Sequence, residues 1–472
     1  MNVLTKTSKA AALVLLSSFV FALPTMADQA KSQNSFQLPA YEQLKLDNGL
    51  TVFLLPQHEV PLITVQATVR AGAVNDKMAG LAQLTSQALL LGAGGKTKAE
   101  IEQLVDFLGA SLNSDGSMEG SSLQANFMAK DTEQMLSVLH SVLTQPSFDR
   151  AEFEKLKARQ IAAVAQAKES PRMVMDQYFN KLVFGAHPYG NSISGTAESL
   201  KSISQQQVKD FHQSFYQPAN TAISIVGDFK PAVMKAQLQK LFASWKSSAA
   251  ATQPDLVAAL PEASKAKVLL VNKADAIETT FSIGGVGIKQ DNPDYVGISV
   301  VNTVLGGRFT SWLNDELRVN SGLTYGARSG FERYSASGTF TISSFTKTES
   351  TKAAVDLALK TYQRLWDKGI DQTTLDSAKA YVKGQFPPRF ETNTALAGLL
   401  GDMYLYGFNQ DFINSFQSKV DQLTVAESKR LINNYFPKNQ LQFVLIGKAE
   451  AIKDIAKSYG EVTQVEITAD SF

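Results

Sequence analysis

The sequence predicts an α+β fold made of two tandem copies of one unit, and three observations carry that prediction. A Tyr-x-Pro-x-Asn corner occurs twice, beginning at Tyr216 and at Tyr435, 219 residues apart. Each corner follows a helical stretch opened by a capping hydroxyl, Ser204 or Thr424, and leads into an apolar run that ends at Gly227 or Gly447. Strands and helices fall in runs rather than in strict alternation, which favours a sheet containing antiparallel strands.

The elements follow in order. Residues 50–55 and 62–70 are rich in β-branched side chains and read as strands around a turn at 56–61. Helical patterns follow at 79–91, 98–108, 132–143 and 150–167. In the second copy, 268–271 and 279–287 take the strand roles, and a helix at 373–384 matches the one at 150–167. The join is a low-charge stretch of small residues, Ser247-Ser248-Ala249-Ala250-Ala251-Thr252-Gln253-Pro254, continuing loosely to Lys265. The expected organisation is a leader at 1–27, a first domain at 28–246, a linker at 247–265 and a second domain at 266–472.

The leader has a physical signature. Lys6 and Lys9 precede an apolar run from Ala10 to Leu23, and Thr25-Met26-Ala27 offers small residues for a signal peptidase. The run is too short to span a bilayer. Export to the periplasm, with cleavage near Ala27, is the expectation. A net charge of +1 over 472 residues supplies no broad field for nucleic acid or anionic lipid. Cysteine is absent, which removes thiol catalysis and cysteine-ligated metal. The four histidines, His58, His140, His187 and His212, lie too far apart for a local metal motif. His187, before a proline in a turn, reads as a structural loop residue.

Two segments carry chemistry. The first is Met78-Ala79-Gly80-Leu81-Ala82-Gln83-Leu84-Thr85-Ser86-Gln87. Its frame resembles the pitrilysin/insulinase-type (M16) metallopeptidases, in which a Gly-Leu-Ala stem opens a helix carrying His-x-x-Glu-His. There, two histidines four apart share a zinc ion from one helical face, and the glutamate between them takes a proton from bound water. The resemblance extends over about residues 40 to 450. It includes Leu46-Asp47-Asn48-Gly49-Leu50-Thr51-Val52 and His187-Pro188-Tyr189-Gly190 with the following Gly195-Thr196. It places Gln83 and Gln87 at the histidine positions, Ser86 at the glutamate, and Ala163 at the third ligand. A carboxamide is a weak zinc ligand beside imidazole, and a serine hydroxyl is no base without an activator. No metal is expected on this chain.

The second segment runs from Val304 through Gly306-Gly307-Arg308-Phe309 to Leu317-Arg318, then Gly322-Leu323-Thr324-Tyr325-Gly326. Alone, Arg318 fits a residue complementing a helix dipole and Tyr325 a core aromatic with a wet tip. The segment is similar to the family's C-terminal-domain motif, whose arginine and tyrosine reach the zinc across a cleft and bind the substrate carbonyl. A guanidinium and a phenol suit a developing oxyanion.

The resemblance therefore implies a clamshell heterodimer that is inactive without its partner. The partner subunit would carry the intact zinc motif and the zinc, while Arg318 and Tyr325 would act in trans on unfolded peptide. The strand around 279–287 is the expected edge for peptide docking by strand addition. Two other classes remain open: a peptide-binding, chaperone-like homodimer without proteolysis, and a purely structural core subunit.

Overall fold

The structure is a computed structural model, and it describes residues 35–247, 252–257, 260–261 and 265–470. The predicted leader and part of the predicted linker lie outside the described residues. From Phe36 onward the chain forms one compact body. Among the described residues no helix is long and apolar enough to cross a membrane.

The first sheet takes strands β1 (Glu42–Lys45), β2 (Thr51–Pro56), β3 (Leu62–Val69), β4 (Ser111–Gly116), β5 (Ser121–Met128) and β6 (Thr221–Gly227), ordered β1-β2-β6-β3-β5-β4. The second takes β7 (Lys267–Asn272), β8 (Glu278–Val286), β9 (Ala327–Arg333), β10 (Gly338–Lys347), β11 (Gln442–Gly447) and β12 (Glu461–Glu466), ordered β9-β10-β8-β11-β7-β12. Five strands correspond one to one. In each sheet the first hairpin strand pairs parallel with the strand after the tyrosine corner, β2 with β6 and β7 with β11. All other pairings within the five are antiparallel. The sixth strand breaks the symmetry: β1 precedes its neighbour and runs antiparallel, whereas β12 comes last and runs parallel.

The first half contributes helices α1 (Leu81–Ala88), α2 (Lys98–Phe107), α3 (Thr132–Thr144), α4 (Arg150–Ala167), α5 (Pro171–Phe184), α6 (Ala197–Ser202), α7 (Gln205–Phe215) and α8 (Pro231–Phe242). The second contributes α9 (Tyr295–Leu305), α10 (Trp312–Asn314), α11 (Thr351–Asp367), α12 (Gln372–Gln385) and α13 (Asn393–Tyr406). After these come α14 (Gln410–Asn414), α15 (Phe416–Gln422), α16 (Val425–Tyr435) and α17 (Ala449–Ala456). The predicted caps form: Ser204 accepts from Gln207 N–H and Thr424 from Glu427 N–H.

Alternating residues on each strand enter different cores, as the two-residue strand period requires. Val52 and Leu54 face the first half's own helices, whereas Phe53 and Leu55 join the core built mainly by the second half. Val268 and Leu270 face their own helices, while Leu269 and Val271 pack with Val174, Met175 and Tyr178 of the first half. The halves thus exchange helices. α5 lies on β8 and β11 of the second sheet, and α13 lies on β3 and β6 of the first. α13 comes close because it carries Gly401, where an added Cβ would stand 2.5 Å from Thr68 Oγ1.

Polar contacts lock the exchange. Glu119 is buried at the junction, where its carboxylate accepts from Tyr189 Oη (2.8 Å) and from Ser335 N–H (2.9 Å) and hydroxyl. Ala336 N–H donates to Tyr189 Oη at 3.0 Å. His187 is structural, as read from sequence: Nδ1 accepts from Tyr189 N–H and Nε2 donates to Leu256 O at 3.0 Å.

One expectation is corrected here. The 279–287 strand is not an edge: β8 is hydrogen-bonded on both sides, to β10 and β11. Its backbone donors and acceptors are spent within the sheet, so it cannot take an added strand. The edges are β4 and β1 in the first sheet and β9 and β12 in the second.

Candidate functional site

The first candidate segment forms α1, which is shorter than predicted. Gly80, in the left-handed region at φ 92°, caps it. An added Cβ there would stand 2.9 Å from Gly195 Cα, so only glycine fits. The Asp76 carboxylate accepts from the N–H groups of Gly80, Leu81 and Ala82 at 2.9, 3.1 and 2.8 Å. Asp76 was not singled out from sequence, because it lies four residues before Gly80 and so outside the N-cap position that capping patterns mark.

Burial pushes the Asp76 carboxyl up to about 7, while its three amide donors pull it down. A folded value above the unfolded one means stability that is full below pH 4 and is lost as pH rises through about 7. Wild type should therefore lose on the order of 3 kcal/mol relative to Asp76→Asn between pH 4.5 and 7.5. Urea unfolding of both proteins at the two pH values measures this, and parallel behaviour would refute the assignment.

Gln83 and Gln87 are half-buried on one face of α1. Gln83 is already engaged: Oε1 accepts from Gly116 N–H at 2.7 Å, with Nε2 3.5 Å from Asp115 Oδ1. The amide ties α1 to the end of edge strand β4. Ser86 is fully buried and shares a 2.8 Å hydrogen bond with Ser114 Oγ, which itself donates to Ser122 O. Gln83 and Ala163 line one cavity of about 910 Å³, to which Gln160 and Gln177 add further amides. Gln87 and Ser86 do not line it. The cavity's far wall is the segment 467–470, held by Lys168, whose Nζ donates to Thr468 O and Ala469 O and pairs with Asp470 at 2.7 Å. Among the described residues no three His, Cys, Asp or Glu side chains gather as a metal-binding group.

The second segment forms a different cleft of about 570 Å³, where α5 meets the second sheet. α10 continues into a π-helical segment, Asp315–Asn320, that carries Arg318. Such wide turns recur at functional sites. The Arg318 guanidinium lies over the exposed Phe309 ring, 4.7 Å from its centroid. Among the described residues Arg318 makes no ion pair. Tyr325 is 82% exposed, and among the described residues its hydroxyl has no hydrogen-bond partner. Both side chains line this cleft, so the sequence-predicted pair is brought together. The core-aromatic alternative for Tyr325 is excluded by that exposure.

A family model described as "Insulinase (Peptidase family M16)" matches residues 52–197. A second, described as "Peptidase M16 inactive domain", matches residues 202–382, and together they span more than half of the chain. The chain belongs to peptidase family M16. "Non-peptidase homolog YmxG" of Helicobacter pylori is 25% identical to this M16 chain, covering 84% of it and 91% of its own length. "Zinc protease PqqE" of the same organism is 24% identical, covering 87% of this chain and 93% of itself. The crystal structure of a peptidase M16 inactive domain from Pseudomonas fluorescens has a TM-score of 0.80 at 26% identity, covering 86% of this chain and 98% of its own. A protease from Helicobacter pylori shares the fold at a TM-score of 0.79 and 21% identity, covering 87% and 100%. The chain is thus an inactive-type M16 homologue.

Proposed function

We propose that this chain is the non-catalytic, substrate-binding subunit of an exported, heterodimeric M16 zinc peptidase. Its partner supplies the His-x-x-Glu-His helix and the zinc, and the two close around an unfolded peptide. Arg318 and Tyr325 then reach across to the partner's site and donate to the oxyanion that forms as water attacks the scissile carbonyl. One observation carries the reading: the two halves treat their polar groups oppositely. Gln83 and Ser86 are consumed by internal hydrogen bonds, whereas Arg318 and Tyr325 stand unspent in an open cleft. A donor pair of this kind, with no metal-binding group of its own among the described residues, suits a zinc site that a partner brings. Similarity to both a zinc protease and a non-peptidase homologue of one organism supports a division of labour.

Co-expression with an exported M16 subunit carrying the intact motif should yield a stable complex that cleaves unfolded peptides in a zinc-dependent way. This chain alone should be inactive. Peptide binding by a homodimer, with no complex and no cleavage, would favour the chaperone-like alternative.

A further inference from the structure

The cleft that holds Arg318 and Tyr325 has a chemical bias that the carbonyl contact does not require. Its basic lining residues are Arg172, Arg308, Arg318 and Arg328, facing one acid, Asp176. Arginine makes up only 11 of the 45 basic residues of the chain, yet no lysine lines this cleft. The bias is local, because the chain as a whole is nearly neutral.

These guanidiniums are positioned but not neutralised. Arg318 lies over Phe309, and Arg172 lies over Phe345 at 3.5 Å with only a loose 3.8 Å pair to Glu278. Arg308 donates to Ser377 Oγ at 3.0 Å, while its buried Nε has no partner. Arg328 donates from Nε to Ser343 Oγ at 3.2 Å. Among the described residues, Arg308, Arg318 and Arg328 make no ion pair. Stacking on an aromatic face holds Arg318 and Arg172, a serine contact holds Arg308 and Arg328, and each guanidinium keeps N–H groups free. A planar edge of parallel donors matches a carboxylate, which it binds through two hydrogen bonds at once. Arg328 lies on the edge strand β9, beside backbone that an extended peptide can pair with.

We infer that this cleft selects peptides bearing aspartate or glutamate next to the bound carbonyl, with Arg308 and Arg328 as the specificity-determining residues. The inference rests on the substrate-binding reading above and names the substrate class. Nucleic acid is the weaker match. The arginines are confined to one cleft of about 570 Å³ and do not form a track along the surface.

The test is equilibrium binding to the intact chain alone, by fluorescence anisotropy. Three labelled peptides of equal length carry two glutamates, two glutamines or two lysines at the same positions. The glutamate peptide should bind about tenfold tighter than the glutamine peptide, and the lysine peptide weakest. In the double variant Arg308→Gln/Arg328→Gln the glutamate-to-glutamine ratio should fall to about twofold or less. If the double variant does not fold, as judged by circular dichroism, Arg328→Gln alone on the exposed edge should still reduce the ratio. Equal binding of the glutamate and glutamine peptides, or an unchanged ratio in the variants, overturns the inference. So does failure to bind any of the three, or tighter binding of an oligothymidylate than of the glutamate peptide. Because no turnover is measured, failed cleavage by the reconstituted complex would leave this result standing. Conversely, equal peptide affinities would leave reconstituted cleavage intact.

Discussion

Replacing Arg318 by alanine is expected to lower kcat of the reconstituted complex by about 10²-fold or more, with a smaller change in KM. The guanidinium acts where negative charge develops, so its loss should be felt in the transition state more than in the ground state. Tyr325→Phe removes one donor and keeps the ring, and about a tenfold loss is expected. The two effects should fall short of additivity if both groups serve one oxygen. Neither substitution should disturb the fold, since Tyr325 is exposed and Arg318 rests only on an exposed ring. Steady-state kinetics with a quenched-fluorescent peptide, alongside thermal melts, decides the matter. Full activity in the double variant would eliminate the trans-acting role and leave the structural-subunit reading.

The second large effect concerns stability. Glu119→Ala should cost about 3 kcal/mol, because it strands donors that now converge on one buried carboxylate. Tyr189, fully buried, would keep its Ala336 N–H contact and a longer 3.4 Å contact to Ser335 Oγ but lose its carboxylate acceptor. Ser335→Ala removes only a hydroxyl and should cost about 1 kcal/mol. The two sites touch, so a double-mutant cycle in urea should show coupling of about 1 kcal/mol. Additive losses would mean that the Glu119–Ser335 contact contributes nothing of its own.

Much of this architecture is written in local chemistry and was therefore legible. The hydroxyl caps at Ser204 and Thr424, the paired corners and the β-branched runs act over a few residues, and the elements they announce are present. The bounds of the 150–167 helix agree to the residue. What failed was position within a sheet. The 279–287 run has the composition of a strand, but composition cannot say whether neighbours pair on both sides. Gln83 and Arg318 could be located by motif, yet the spent state of one and the free state of the other depend on β4 and on the cleft walls. Arg172 was invisible as a cleft residue because it arrives on α5 from the other half. Long-range assembly brings it there, and no local pattern encodes that.

The exchange of α5 and α13 also orders events during synthesis. The first sheet is complete once β6 has emerged at residue 227, but the helix that covers its second face begins only at Asn393. For some 160 residues of elongation, Phe53, Leu55, Ala222 and Val226 have no α13 to shelter them, and α5 has no second sheet to lie on. A nascent half of this kind is a natural substrate for holding factors. Under the proposed export, the same delay keeps the body open enough to be threaded through a translocation pore.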